Sequence, residues 1–470
     1  MKTKQCEVFI LGAGAGGIGA AYRLAKHGVH TIIADRNKDY GGTMIFAGVH
    51  TWEPGVSMPG LHNRLAEEIM NIPGGGGTAL TVPRHLLYSI DENTWRRAEE
   101  AEHVSFEELP IGLSVIHPKL RYEQTLKRCL KLLKKNEHIK RFQFEPSAMQ
   151  KAIHHILSET CYMPETLFQT EFVNCETERG RITAVRLKGK EEEYRIEAKI
   201  YIDASGNIIL ARSAGCKAEI QAKPNGVSYL FRVGKGEKRE WEKMEKGGEG
   251  EGEWSKDYLR KHLPAACYNV YPNLDINVNI LPVMTGEEYF KLDKRADQIG
   301  WTRVKSYWKY MQEVKGLNNY VIKEVFTMPG IRESWRLKGK NVLTDKDIKR
   351  GYRQQDHKDE IIAYADHAMD THGAEGGCKE IEKPYGIPFS CLLPKEIENL
   401  VVACRGASFD SNAASSCRLS RTMLSLGEAA GEGVTIWLEK GKVDRKYLRE
   451  RLGCNEYEKW LDDELMKVYI

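Results

Sequence analysis

The stretch Glu7–Asp35, EVFILGAGAGGIGAAYRLAKHGVHTIIAD, decides the fold. EVFIL is a short apolar run, as a strand buried on both faces requires. Gly12–Gly17 follows as a glycine-rich turn, and Ile18 to His27 carries Ala21, Leu24 and Ala25 at helical spacing. HTIIA (His30–Ala34) reads as a second buried strand and ends in Asp35. Strand, turn, helix and strand in this order make a parallel-sheet unit. Gly12, Gly14 and Gly17 form G-x-G-x-x-G in the context that gives the motif meaning. The first glycine permits the tight turn, the second leaves room for a pyrophosphate, and the third lets helix and strand pack closely. The helix start offers free N–H groups and the positive end of its dipole to phosphates. Asp35 is placed to accept the ribose hydroxyls of an adenosine.

Arg36 comes next, then Tyr40-Gly41-Gly42-Thr43. A Gly-Gly pair followed by a hydroxyl lets the chain pass close to an extended ribityl–pyrophosphate. A simple NAD dehydrogenase has no need of this second loop, so the pattern leans toward FAD.

Working outward, Tyr122–Asn136 reads as an amphipathic helix. The runs Thr170–Cys175, Arg181–Leu187 and Tyr194–Ile196 read as a three-stranded meander inserted before a further buried strand, Lys199–Asp203. Val227–Val233 and Asp275–Pro282 are strand-like, Lys235–Lys256 is a charged glycine-rich loop, and Trp301–Val314 looks helical. Asn399–Ala403 is another buried strand, followed by a long helix near Arg418–Lys440. These features group into a first part of a nucleotide domain (1–217), a substrate or cap region (218–384), a returning part (385–440) and a C-terminal tail (441–470).

The bulk numbers exclude several classes. With 70 basic and 66 acidic residues among 470, the net charge is +4. That near balance argues against a nucleic-acid or membrane-surface role. No run approaches the roughly 18 apolar residues of a membrane span. The apolar run after the first lysines is too short for a signal peptide and passes straight into glycines. Eleven cysteines lie scattered without any C-x-x-C, as expected for reduced thiols in a cytoplasmic protein.

Three segments together carry a resemblance: Gly12–Asp35, then YGGTMIFAGVHTWEPG (Tyr40–Gly55), then YIDASGNIILARSAG (Tyr201–Gly215). Later come Gly330-Ile331-Arg332-Glu333-Ser334-Trp335-Arg336, Gly339 with Val342–Asp345, and Ala368–Gly373 (AMDTHG). Tyr385–Pro394, Asn399–Arg405, Arg418 and Leu426–Gly431 complete the series. The set, running from Cys6 to about Lys440, resembles the FAD-dependent oxidoreductase family of the glutathione-reductase structural class. The resemblance implies an α/β fold: a glutathione-reductase-type, Rossmann-like FAD domain with an inserted β-meander, plus a mixed α/β substrate (cap) domain. It implies that Gly12, Gly14, Gly17, Asp35, Arg36, Gly42 and Thr43 hold FAD. Val173 would touch the adenine through its backbone, Ala204 and Gly206 would pass the adenosine side, and Arg405 and Arg418 would lie near the flavin ring or ribityl chain. Cys404 departs from the family's pattern, where glycine often precedes the arginine.

A flavin enzyme needs its protein to hold the substrate near N5 and to manage a proton. Trp52 is a candidate to stack on the substrate, with His50 and Glu53 as acid or base. Arg332 and Arg336 are four apart, so a helix would put both guanidiniums on one face, suited to a carboxylate or polyhydroxyl substrate. Asp366, His367, Asp370 and His372 superficially resemble metal-ligand spacing; no metal is expected, and His372 oriented by Asp370 is the preferred acid or base. Cys417 and Cys404 are read as packing residues.

The expected activity is a dehydrogenase passing hydride between a small polar substrate, with a sugar or polyol as the example, and flavin N5. The alternatives are a fumarate-reductase-like C=C reductase of a carboxylate-bearing substrate, in which Arg332, Arg336 and Arg418 would clamp carboxylates, and, behind it, a transfer-RNA-modifying flavoprotein. A non-catalytic flavin module is the last. No second dinucleotide motif marks an electron partner, and a homo-oligomer stays open.

Overall fold

The computed structural model describes residues 1–52, 56–80, 140–236, 251–273, 275–371, 378–379 and 381–469. Glu53, His372, the expected helix Tyr122–Asn136 and most of the expected loop Lys235–Lys256 lie outside the described residues.

The glycine unit folds as its pattern demands. Strand β1 (Lys2–Leu11) leads through the glycine turn into helix α1 (Ala15–Lys26), and the chain returns as β2 (Thr31–Asp35), parallel to β1. Strand β3 (Glu165–Phe168) adds outside β2, β4 (Glu193–Asp203) lies on the other side of β1, and β5 (Leu400–Val402) pairs with the end of β4. All four pairings are parallel. Val8, Phe9 and Ile10 and Ile32, Ile33 and Ala34 are fully buried, which explains their unbroken apolar runs.

Two expected strands are one. The sequence separates Tyr194–Ile196 from Lys199–Asp203, but both belong to β4. Its first residues pair antiparallel with Arg181–Lys188, the middle strand of the meander, while the strand as a whole pairs parallel with β1. Glu197 and Lys199 are polar because that stretch of strand reaches solvent, not because the chain turns. For the same reason the polar start of β1, Lys2–Gln5, does not read as strand.

The long helix α2 (Ser420–Lys440) packs against α1 at backbone distance. A Cβ on Gly427 would lie 2.1 Å from the Gly16 carbonyl oxygen, and one on Gly19 would lie 2.2 Å from that of Leu424. A Cβ on Gly16 would lie 1.8 Å from the Ala403 carbonyl oxygen, just past β5. The small residues at 427 and 431 are therefore a packing requirement. Glu428 of α2 accepts from the Leu61 N–H at 2.9 Å, capping helix Leu61–Met70.

A second, separate core forms around an antiparallel sheet ordered Ala265–Val270, Ile276–Leu281, Leu230–Lys235, Tyr320–Val325, with helix Ala296–Lys315 over it. That core runs from Val227 to Ile322. Leu337, Leu343, Ile348, Ile362 and Met369 instead pack into the first core, although chain order groups them with 218–384. The strand Ile361–Ala365 is drawn there by pairing with Tyr385–Pro388. Past Lys440 the chain forms two further helices, Arg445–Leu452 and Cys454–Tyr469, in the span expected as a tail. Arg449 ties them down, donating to the Ile361 carbonyl at 2.6 Å and to Glu458 at 3.1 Å.

Gly427→Ala forces a methyl against backbone that cannot retreat. We expect a stability loss of at least about 2 kcal/mol by denaturant titration.

Candidate functional site

Helix α1 begins at Gly14 with no side-chain cap and no acidic residue in its first turn. Its first N–H groups are left for an outside acceptor. Gly12 holds φ at +106°, and its position has no room for a side chain against the Ala204 carbonyl. The Tyr40–Thr43 loop closes on this turn. Gly41 N–H donates to the Ala13 carbonyl at 2.9 Å, and a Cβ on Gly42 would lie 2.7 Å from the Gly14 Cα. Two stretches of bare backbone thus meet side by side. Thr43 opens the short helix Thr43–Phe46 and is half-buried.

Asp35 does local work as well. One carboxylate oxygen accepts from Ala13 N–H at 2.7 Å; the other accepts from the backbone and side-chain N–H groups of Asn37 at 2.7 and 2.8 Å. Beside it, Thr170 N–H donates to the Asp35 carbonyl at 3.1 Å, which brings the start of strand Glu171–Glu178 to this end of the site. Val173, three residues on, is 53% exposed.

Ala204 N–H donates to the Leu11 carbonyl at 2.8 Å, and Gly206 lies against the Arg405 guanidinium. Asp203, which sequence reasoning passed over, holds this turn: it accepts from Ser205 N–H at 3.0 Å and from Ala211 N–H at 2.9 Å. Arg405 donates to the Asn207 side-chain oxygen at 2.7 Å, and its buried Nε has no partner among the described residues. Among the described residues no carboxylate pairs with it; burial lowers its pKa, and Arg36 and Arg418 add repulsion. Arg418 donates to the Asp370 carbonyl at 2.9 Å. Arg36, Arg405 and Arg418 therefore form one electrostatic group.

The candidate chemistry residues separate. Arg332 and Arg336 do not share a helical face, because Ile331–Trp335 is not helical and Arg336 enters a short strand paired with Ala218–Glu219. Arg336 is 2% exposed, pairs with Glu333 and donates to the Phe409 carbonyl at 3.0 Å. Glu333 also accepts from Asn225 N–H and Ser411. That is a fastening, not a substrate clamp. Arg332 points elsewhere, donating to the Ser228 hydroxyl at 2.6 Å and the Gly226 carbonyl at 3.2 Å.

Trp52 is 2% exposed. It packs against Phe142 and Phe144 and donates to the Ser420 hydroxyl at 2.8 Å, so it has no free face on which a substrate could stack. His50 is buried, stacked on Tyr271 at 4.0 Å, with Asn277 Nδ2 2.7 Å from its Nδ1. Behind Tyr271 lies the Arg232 guanidinium, 4.0 Å from the ring centre. This stack was not visible in the sequence, since His50 lies more than 180 residues from its other members. Burial pushes the Cys404 thiol up to about 12 and raises that of Cys417 too, which leaves both as packing residues. Among the described residues no group of three or more His, Cys, Asp or Glu side chains is set to hold a metal. No described helix is long and apolar enough to cross a membrane.

A parallel sheet with an uncapped glycine turn, an acid at the end of the second strand and a returning glycine-rich helix defines a dinucleotide-binding oxidoreductase-type fold. The family model for FAD dependent oxidoreductases matches residues 7–452, and the chain belongs to that family. Its cofactor is FAD. Two curated proteins are similar over short stretches. One is a 3-oxosteroid 1-dehydrogenase from Rhodococcus opacus, 32% identical over 56 residues, 12% of this chain and 11% of that protein. The other is a 4-oxocyclohex-2-ene-1-carboxylate 5-dehydrogenase from Sinomonas cyclohexanicum, 37% identical over 54 residues, 12% of this chain and 9% of the relative. The chain therefore matches about a tenth of the length of these curated relatives. Among solved structures, a geranylgeranyl bacteriochlorophyll reductase-like protein from Thermoplasma acidophilum has a TM-score of 0.44 at 11% identity. The match covers 98% of this chain and 84% of that one. An L-proline dehydrogenase from P. horikoshii has a TM-score of 0.38 at 14% identity, covering 96% and 99%.

Arg336→Met strands the buried Glu333 carboxylate. Breaking such a pair costs about 3–5 kcal/mol; we expect the loss in chemical denaturation, with flavin content of the protein that still folds near normal.

Proposed function

We propose that this chain is an FAD-dependent dehydrogenase that moves hydride between a small polar substrate and flavin N5. The single observation that carries the cofactor side is the pairing of bare backbone at Gly14 and Gly42 with the uncapped start of α1. A diphosphate fits there: no Cβ intrudes, the first N–H groups of α1 have no side-chain cap, and Arg36, Arg405 and Arg418 gather positive charge nearby. FAD, when bound, supplies a two-electron acceptor whose N5 takes hydride from a substrate C–H bond.

In this reading Gly12, Gly14 and Gly17 shape the turn, Asp35 orients the adenosine ribose, and Gly42 and Thr43 follow the diphosphate. Val173, Ala204 and Gly206 flank the adenosine, and Arg405 and Arg418 stand toward the ribityl chain and ring. The fold is then of glutathione-reductase type, with the Val227–Ile322 core as the cap over the substrate. Asp35 already orders Ala13 and Asn37, which supports a pre-shaped ribose contact. His372, two residues past Asp370, is our choice for the group that takes the proton from a substrate hydroxyl. Glu53 is the second choice. His50, stacked and hydrogen-bonded, is better suited to shaping the wall than to exchanging protons.

The polyol reading drew on Trp52, Glu53 and the His and Arg candidates, and packing takes up Trp52 and Arg336. The placement of Arg332 supports a second reading, a C=C reductase of a carboxylate-bearing substrate. Anaerobic mixing separates the two. Bleaching of the flavin band by a carbinol from a panel of sugars, polyols, hydroxy acids and steroids is expected from a dehydrogenase. Reoxidation of chemically reduced enzyme by an enoate, with no carbinol active, would favour the reductase.

Asp35→Ala removes a charged acceptor worth about 1.5–3 kcal/mol. The purified variant is expected to carry far less flavin than wild type, measured by the ratio of visible to ultraviolet absorbance. Wild-type flavin content in a folded variant contradicts the ribose contact.

A further inference from the structure

Arg332 is a deep-set charge whose hydrogen-bond partners among the described residues are all neutral. It lies deep among protein atoms but keeps some open surface. Its Nη1 is committed to neutral acceptors: Ser228 Oγ at 2.6 Å, the Gly226 carbonyl at 3.2 Å and the Gly330 carbonyl at 3.5 Å. Gly330 and Ser228 are themselves joined by backbone hydrogen bonds of 2.7 and 3.3 Å, so the fork is held in one orientation. Among the described residues, Nε and Nη2 have no hydrogen-bond partner and no carboxylate comes within ion-pair distance. Glu333, the nearest acid in sequence, is turned away onto Arg336.

The surrounding charges do not help. Burial disfavours the charged form of Arg332, and the Arg418 guanidinium disfavours it further; Asp370 attracts it without pairing, and the Cys267 thiol contributes least. A guanidinium does not give up its proton inside proteins. An anion beside it is therefore strongly favoured, since an unpaired buried charge costs several kcal/mol. The groups acting on Arg405 are different: Cys404, Tyr289, Arg36 and Arg418. Arg418 is common to both sets, while Arg36 and Arg405 are not among the groups that act on Arg332. We assign the diphosphate to Arg36 and Arg405 and a separate anion to Arg332.

We propose that Arg332 receives a carboxylate of the substrate on its Nε–Nη2 edge, with Ser228 as the residue that positions the guanidinium. This rests on the FAD oxidoreductase reading of the same site. The Nε–Nη2 edge presents two parallel N–H bonds, the spacing a carboxylate accepts in bidentate fashion. The substrate class narrows accordingly to carboxylic acids, hydroxy acids or enoic acids, rather than neutral sugars.

The test is calorimetric and needs no turnover, so it stands apart from flavin bleaching. FAD-loaded enzyme is titrated at constant ionic strength with acetate, succinate, benzoate and cyclohexanecarboxylate, each beside its neutral amide. At least one acid is expected to bind on the order of 100-fold more tightly than its amide. Arg332→Gln is expected to lose that preference and keep its flavin. No acid preferred over its amide, or an unchanged preference in Arg332→Gln, overturns the proposal. Should Arg332→Gln not fold, Ser228→Ala takes its place. It keeps the charge but frees its orientation, and a several-fold fall in the acid-to-amide ratio is expected. A ratio equal to wild type overturns the proposal. If the enzyme prefers acids yet no panel compound bleaches its flavin, the dehydrogenase reading fails while this one stands.

Discussion

Helices α1 and α2 touch through their backbones, and the site exists because they do. With carbonyl oxygens at Gly16 and Leu424 occupying the space that a Cβ at Gly427 or Gly19 would need, no side chain can be interposed. The same turn presses on Ala403 at the end of β5. This contact ties residues near the two ends of the chain into one unit. It brings the uncapped start of α1 and the segment Cys404–Ser420 to the same end of the parallel sheet. Dispersion gains grow with such close approach, but the more important effect is geometric. A helix start that must meet a diphosphate cannot wander by an ångström.

On that frame the arginines divide into two kinds. Arg336 shows what a stability arginine looks like here: buried, ion-paired to Glu333, and joined to backbone on two sides. Among the described residues, Arg405 and Arg332 have neutral partners only, Asn207 in one case and Ser228 with two carbonyls in the other. A protein under selection for stability alone has no reason to keep a deeply set guanidinium without an acid. The contrast within a single chain, between groups of the same chemistry, is what supports the proposal that the second kind faces a ligand. Arg332 and Arg336 are only four residues apart, which shows that the division is made by backbone path rather than by sequence neighbourhood.

The sequence disclosed what depends on local pattern. The glycine spacing, the apolar runs of β1 and β2, the acid closing β2 and the small residues of α2 are all set by contacts within or next to their own elements. It hid what depends on distant partners. The break at Glu197–Lys199 looks like a turn because polarity at a sheet's edge and polarity in a loop read alike. The Ile331–Arg336 segment looks helical by spacing, yet Arg336 is pulled into a strand by Ala218–Glu219, more than 115 residues earlier. Trp52 looks like a ring awaiting a ligand. Only the fold brings Ser420, Phe142 and Phe144 around it. Likewise the assignment of Leu337–Met369 to the first core follows from the pairing of Ile361–Ala365 with Tyr385–Pro388, a choice no periodicity announces.

The walls of the site are consequently held by different physics. The cofactor side belongs to the first core and is fixed by backbone contact, where even a methyl group is too large. On the proposed reading the other side reaches in from the second core through Ser228 and Arg332, and that core is joined to the first by polar contacts beside an apolar patch of Leu230, Tyr271 and Phe326 against Val49. Asn277 donates to the Gly48 carbonyl at 2.5 Å, Met328 N–H to the Phe46 carbonyl at 2.8 Å, and Arg232 to Glu145 at 2.8 and 3.0 Å. Polar contacts of this sort can be exchanged one at a time at modest cost each, whereas the glycine contact cannot be altered piecemeal. If the second core covers the substrate as proposed, change in substrate preference has its route through those contacts, while the grip on the cofactor stays where it is.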